Sequence, residues 1–161
     1  MKIVVADTTP LIVLSRLDLL DKIVAILGTV YVTSGVLQEC TSNKKLPGAM
    51  KITSAIGRGV LSVSDDFNHG IVEELKLDRG ESEAIALALA YRCPLLIDEK
   101  KGRRIASELG VKIFGTGAVL VLAKKQGVID FVAPLLNQLD DMGIYLSAKV
   151  KAQILKSSGE L

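Results

Sequence analysis

The sequence predicts an α/β fold with a central parallel sheet of four or five strands covered by helices on both faces. Three observations predict it. Short apolar runs alternate with helical segments along the chain, the pattern of successive βαβ units. Hydrophobic residues make up 49% of the 161 positions, which suits strands buried on both sides rather than one. The segment AIALALA (84–90) is apolar all round, as a helix enclosed by other elements must be.

The elements follow in order. KIVVA (2–6) reads as a buried strand ending at Asp7, and Thr9 with Pro10 opens a helix over 9–17, followed by a second helix over 18–27. VYVT (30–33) is the second strand, with Ser34 capping a helix that runs toward Cys40. A polar loop over 42–45 leads to a helix opened by Pro47 and ended by Gly57 and Gly59. VLSVSD (60–65) is a third strand, placed at an edge, and His69-Gly70 reads as a turn. Asp78 and Glu81 have the spacing of a capping box at the head of the Ala-rich helix. PLLI (94–97) is a central strand ended by Asp98, KKGRRIASELG (100–110) an amphipathic helix, and VKIF (111–114) the last strand. Helices over 115–127, 130–142 and 147–157 complete a single domain spanning 1–161.

Charge and composition exclude several functions. With 20 basic and 18 acidic residues the net charge is +2, so nucleic-acid binding would rest on local clusters and not on a global field. The chain has no Trp and 4% aromatic residues, which rules out base stacking as the main mode of recognition. His69 is the only histidine, and Cys40 and Cys93 stand apart. A zinc site of ordinary ligand count is therefore excluded, and both thiols read as reduced, packed side chains of a cytoplasmic protein. No segment approaches the roughly 18 apolar residues of a membrane span, and no secretory cleavage pattern follows the first apolar run.

Four carboxylates stand out because each heads or closes an apolar element. Asp7 follows IVVA, Asp98 follows PLLI, Glu83 sits in the first turns of the Ala-rich helix, and Glu39 lies near the end of the helix after VYVT. Taken singly, Asp7 and Asp98 read equally as helix caps, and Glu39 as a solvated helix position. Glu81 has the capping role in the D-x-x-E box, which leaves Glu83 without a local one. In an open parallel sheet the carboxyl ends of strands face the ligand crevice. Four acids there would repel unless a cation intervened, and hard oxygen donors without His or Cys select Mg²⁺ or Mn²⁺. Such an ion suits phosphoester chemistry.

Thr8, Glu99 and Thr116 are secondary candidates. The Thr8 hydroxyl stands beside Asp7, and Thr116 either caps its helix or meets a phosphate at the helix start. Lys100, Lys101, Arg103 and Arg104 follow directly on Asp98. They read as a solvated face or as contacts to phosphates flanking the scissile one.

The stretches VVADTTPLIVLSRL, SGVLQEC, GESEAIALALA and LLIDEKKGRRIASELGVKIFGTGAVLVLAKKQGVI, in that order, resemble the PIN-domain nucleases. More narrowly, they look like the short stand-alone bacterial and archaeal PIN proteins related to VapC-type toxins. The resemblance covers roughly residues 2 to 145, with the helices over 130–157 completing the domain. It implies a PIN-like fold and places the family's acids on Asp7, Glu39, Glu83 and Asp98, with Asp7, Glu83 and Asp98 on the metal. It further implies Mg²⁺- or Mn²⁺-dependent cleavage of RNA, a protein antitoxin as partner, and a homodimer. The chain departs from many relatives in having Glu83 where Asp is frequent. It also has Asp98-Glu99-Lys100 where they place further acids, which leaves open whether Glu99 shares the metal.

Two other classes compete. One is a catalytically weak or inactive module using the same crevice for a partner. The other is a receiver-like phosphoacceptor, disfavoured because Thr8 and Thr9 follow Asp7 where an acidic pair is needed. Divalent-metal binding with and without RNA cleavage separates the nuclease from the binding module.

Overall fold

The computed structural model describes residues 2–161, apart from the side chain of Pro47. The chain divides into two compact units, residues 1–115 and 116–161.

The first unit is built on five strands, β1 (Ile3–Ala6), β2 (Thr29–Val32), β3 (Leu61–Val63), β4 (Leu95–Leu96) and β5 (Ile113–Phe114). They form one sheet in the order β3-β2-β1-β4-β5, with every pair parallel. Successive residues of a strand point to opposite faces. Val4, Val5 and Ala6 in β1, and Leu95, Leu96 and Ile97 in and after β4, are all buried. Both faces of the central strands are therefore covered, as the apolar runs require.

The helices of this unit are α1 (Thr8–Arg16), α2 (Leu20–Leu27), α3 (Ser34–Thr41), α4 (Pro47–Gly57), α5 (His69–Leu75), α6 (Arg79–Tyr91) and α7 (Lys100–Glu108). The most enclosed is α6, packed against α3, α5, α7, β1 and β4, with every residue from Ser82 to Ala88 buried. Small Ala side chains allow this close approach on all sides.

Helix starts in this unit differ from the sequence expectation by a residue or two. The first helix begins at Thr8, with Asp7 rather than Thr9 in the capping position. Thr33, not Ser34, caps α3 through its side chain, accepting from the Val36 amide at 3.2 Å. Asp18 adopts a left-handed backbone conformation with φ of 58°, which parts α1 from α2 and delays α2 to Leu20. His69-Gly70 is not a turn but the first turn of α5, capped by Asn68. This helix has no buried residue and hence no apolar stripe by which the sequence could reveal it.

The order 3-2-1-4-5 fixes where a ligand site belongs. The chain builds outward from β1 to β2 and β3, then returns to lay β4 on the other side of β1. The connections leaving β1 and β4 diverge, and the crevice at their carboxyl ends is the topological switch point. The Asp7 amide donates to the Leu96 carbonyl at 2.9 Å, so Asp7 and Asp98 leave adjacent strands at the same edge of the sheet.

The second unit contains α8 (Thr116–Lys125), α9 (Ala133–Asp141) and α10 (Ala148–Ser157). Helices α8 and α10 pack together, with Ile154 of α10 so close to Gly117 that a Cβ there would lie 2.8 Å from it. Glu160 closes the unit: its carboxylate accepts from the amides of Val132 at 2.8 Å and Ala133 at 3.0 Å, and from the Lys124 ammonium at 3.1 Å.

Candidate active site

Asp7 is the most deeply placed acid of the switch point, 2% exposed. Its backbone caps α1, but its side chain makes no capping hydrogen bond, and Oδ1 is buried without a partner. A buried carboxylate oxygen left unpaired is costly, so a cap alone does not account for Asp7. Burial pushes its carboxyl up to about 7, against the pull of the Thr8 amide, and the charges of Asp78, Glu39 and Glu99 push it further.

Glu39 reaches the site from α3. Its Oε2 accepts from the Thr8 hydroxyl at 2.8 Å and its Oε1 from the Gly80 amide at 2.9 Å. Thr8 thus joins the two acids: its backbone follows Asp7 and its hydroxyl orients Glu39. Beneath them the buried Cys40 thiol donates to the Thr8 carbonyl at 3.9 Å. Burial, and then the charges of Asp7 and Glu39, push this thiol up to about 12, so it remains a packed, inert group.

Glu81 and Glu83 divide the work differently from the sequence expectation. The cap of α6 is Asp78, whose side chain accepts from the Glu81 amide at 2.8 Å. The Glu81 carboxyl is hydrogen-bonded with that of Asp78 and feels the charges of Asp7 and Glu99. Burial, a hydrogen bond with Asp78 and the neighbouring charges push it up to about 8. The Glu83 carboxylate is buried and engaged at both oxygens. Its Oε1 accepts from the Gly35 amide at 2.8 Å and its Oε2 from Arg79 Nε at 2.8 Å.

Asp98 follows β4, half-buried, beside Arg103. A Cβ on Gly115 would stand 2.8 Å from Asp98 Oδ1 and 3.0 Å from Arg103 Nη1. Glu99 occupies the capping position of α7 without a side-chain cap and faces solvent. Of the basic residues, Lys100 and Lys101 are exposed in the first turn of α7. Arg103 folds back so that Nη1 donates to the Ile97 carbonyl at 2.7 Å, and Arg104 pairs with Glu108 at 3.3 Å. Thr116 is buried at the start of α8 in the second unit.

One device recurs around the crevice. Gly35, Gly80, Gly102 and Gly115 each lie against a carboxylate, where a Cβ would come within 2.6 Å of Glu83, 2.6 Å of Glu39, 2.5 Å of Glu81 and 2.8 Å of Asp98. The first three stand in the first turn of a helix, where unpaired amides and the positive end of the helix dipole favour an anion. Sequence reasoning missed this, along with Arg79 and Asp65, and it read Asp78 only as half of the capping box. The Asp65 carboxylate binds both the amide and the hydroxyl of Ser34, the amide at 2.8 Å. A glycine in the first turn of a predicted helix, as in SGV, RGE and KKG, is the signal that would have pointed to close-packed acids.

The donor set fits a hard divalent cation. The unpaired Asp7 Oδ1 lies amid the charges of Glu39, Asp78 and Glu99, with Glu81 beside them and no histidine at hand. Among the described residues no three such side chains converge as a ready-made metal shell.

A family model described as a PIN domain matches residues 3–160, across both units. No curated protein is significantly similar to the chain.

Proposed function

Because the chain belongs to the PIN-domain family, whose members are generally nucleases, we propose that it is a divalent-metal-dependent endoribonuclease, the toxin of a toxin–antitoxin pair. The observation that carries this reading is the buried, unpaired Asp7 Oδ1 near the charges of Glu39, Asp78 and Glu99 at the switch point. Asp7 and Asp98 are the acids we assign to Mg²⁺ or Mn²⁺, with Glu39, Glu81 and Glu99 contributing their charge. When bound, such an ion activates a water and stabilises the charge developing on the phosphate.

The chain's own residues supply the rest. Thr8 and the Gly80 amide hold the Glu39 carboxylate in one orientation. In the absence of metal, Glu81 keeps a proton near neutrality, hydrogen-bonded to Asp78, which relieves the repulsion among the acids. Lys100 and Lys101, at the rim, are suited to phosphates flanking the scissile one, since their ammonium groups are exposed. Arg103 and Arg104 belong to the same basic run, but each already has an intramolecular partner. A cytoplasmic homodimer restrained by a protein antitoxin completes the proposal. Among the described residues no helix is long and apolar enough to cross a membrane.

The test is cleavage of a fluorescent RNA panel by purified protein with Mg²⁺ or Mn²⁺, against a chelator control. Asp7→Ala and Asp98→Ala should each reduce the rate about 10²–10³-fold without unfolding the protein. If wild type and both variants show the same residual cleavage, the activity is a contaminant. The second reading, a PIN-fold binding module without catalysis, then stands. What favours that reading is that Glu39 and Glu83 already have backbone amides as partners.

A further inference from the structure

Helices α3 and α6 exchange partners reciprocally. Gly35 and Gly80 are each the second residue of their helix. The Gly35 amide donates to Glu83 of α6 at 2.8 Å, and the Gly80 amide donates to Glu39 of α3 at 2.9 Å. Arg79 spans the same seam, with Nε on Glu83 and Nη1 on Gln38, each at 2.8 Å. We propose that Glu83 is not a metal ligand but a positioning residue, which with Arg79 holds α3 so that Glu39 presents its carboxylate to the site. The proposal rests on the nuclease reading for its kinetic consequences, though not for its structural ones.

Three features argue against a ligand role. Both Glu83 oxygens are engaged, one by an amide and the other by a guanidinium. Arg79 lies where a second cation approaching Oε2 would be repelled. Asp7 Oδ1, in contrast, is unpaired and next to acids. The path from Glu83 to Glu39 is short and physical. Glu39 follows Gly35 by one helical turn on the same face of α3, so fixing the Gly35 amide fixes the base from which Glu39 extends. Gln38, gripped by Arg79, limits rotation of α3 about its own axis.

The experiment compares Glu83→Ala, Glu83→Gln, Gly35→Ala and Asp7→Asn with wild type in three measurements: RNA cleavage, Mn²⁺ binding by electron paramagnetic resonance without RNA, and amide exchange at Gly35 and Gly80. Glutamine keeps an oxygen for the Gly35 amide but no charge for a metal. A methyl on Gly35 would stand 2.6 Å from Glu83 Oε1 and push the carboxylate off its amide while leaving its charge in the protein. Glu83→Ala and Gly35→Ala should lower kcat about 10²-fold with KM for RNA unchanged, the scale of a small misplacement. Glu83→Gln should recover most of that loss and bind Mn²⁺ close to wild-type strength, while Asp7→Asn loses Mn²⁺. In Glu83→Ala the Gly80 amide should exchange faster, because Glu39 has lost its register. The proposal is overturned if Glu83→Gln weakens Mn²⁺ binding as much as Asp7→Asn does. Unchanged Gly80 exchange in Glu83→Ala overturns it as well. An inert but Mn²⁺-binding wild type would sink the nuclease reading alone, and the exchange measurement would still decide the role of Glu83. Should Glu83→Ala fail to fold, Gly35→Ala and Glu83→Gln carry the same comparison.

Discussion

The Gly80 amide donates to Glu39 at 2.9 Å, and a methyl group on Gly80 would stand 2.6 Å from that carboxylate. The obstructed atoms are the far end of a flexible side chain, so the fold can yield where the site cannot. Gly80→Ala should therefore leave stability within about 1 kcal/mol of wild type, helped by the better helix propensity of Ala. Cleavage should fall about 10²-fold as Glu39 swings away. Thermal unfolding and RNA cleavage on the same preparation check the separation, and a large loss of stability would refute it.

Asp7 contributes, together with Glu81, to the pH dependence of the metal-free protein. Its folded-state value of about 7 lies above the 3.8 expected when unfolded. Stability from this group is thus fully present below pH 3.8 and is lost as pH rises through about 7. The slope for one proton is at most about 1.4 kcal/mol per pH unit. In chelator, urea unfolding should show stability falling from pH 5 to 8 in wild type, and falling less steeply in Asp7→Asn, where Glu81 still titrates. Asp7→Asn should also be the more stable of the two at pH 8, since no side-chain cap is lost. Mn²⁺ should raise the melting temperature of wild type at that pH and have little effect on the variant.

Glu160 acts in the opposite sense. Its surroundings alone would push the carboxyl up, but the amides of Val132 and Ala133, the Lys124 ammonium and Ser158 overcome this and hold it at about 2, below the ordinary 4.5 of a glutamate. Stability from this group is present above pH 4.5 and is lost as pH falls toward 2. Glu160→Gln should weaken the 116–161 unit at neutral pH and flatten its acid response. Amide exchange at Val132 and Ala133 between pH 3 and 6 measures both.

The basic run should separate into two behaviours. Lys100→Ala and Lys101→Ala remove exposed charges, so each should reduce the slope of log affinity for single-stranded RNA against log salt by about 0.7 without changing the melting temperature. Arg103→Ala also removes the 2.7 Å hydrogen bond to Ile97, so it should cost about 1 kcal/mol of stability besides. Binding isotherms at several salt concentrations, paired with thermal unfolding, distinguish them.

The α/β architecture, the five strands and the buried Ala-rich helix could be read from the sequence because burial on both faces of a strand, or all round a helix, writes itself as a continuous apolar run. The same patterns marked Asp7 and Asp98, since a carboxylate ending such a run is conspicuous. Strand order was not legible. The return from β3 to the far side of β1, which makes the crevice, depends on pairings between distant segments. Nor could spacing choose between Glu81 and Glu83, two residues apart at the head of α6. Only the packed structure decided which of them meets Arg79 and the Gly35 amide and which is hydrogen-bonded with Asp78 and feels the charge of Asp7. The physical reason is that local spacing assigns a side chain to a helix face, whereas its partner on that face is set by whichever element the fold brings against it.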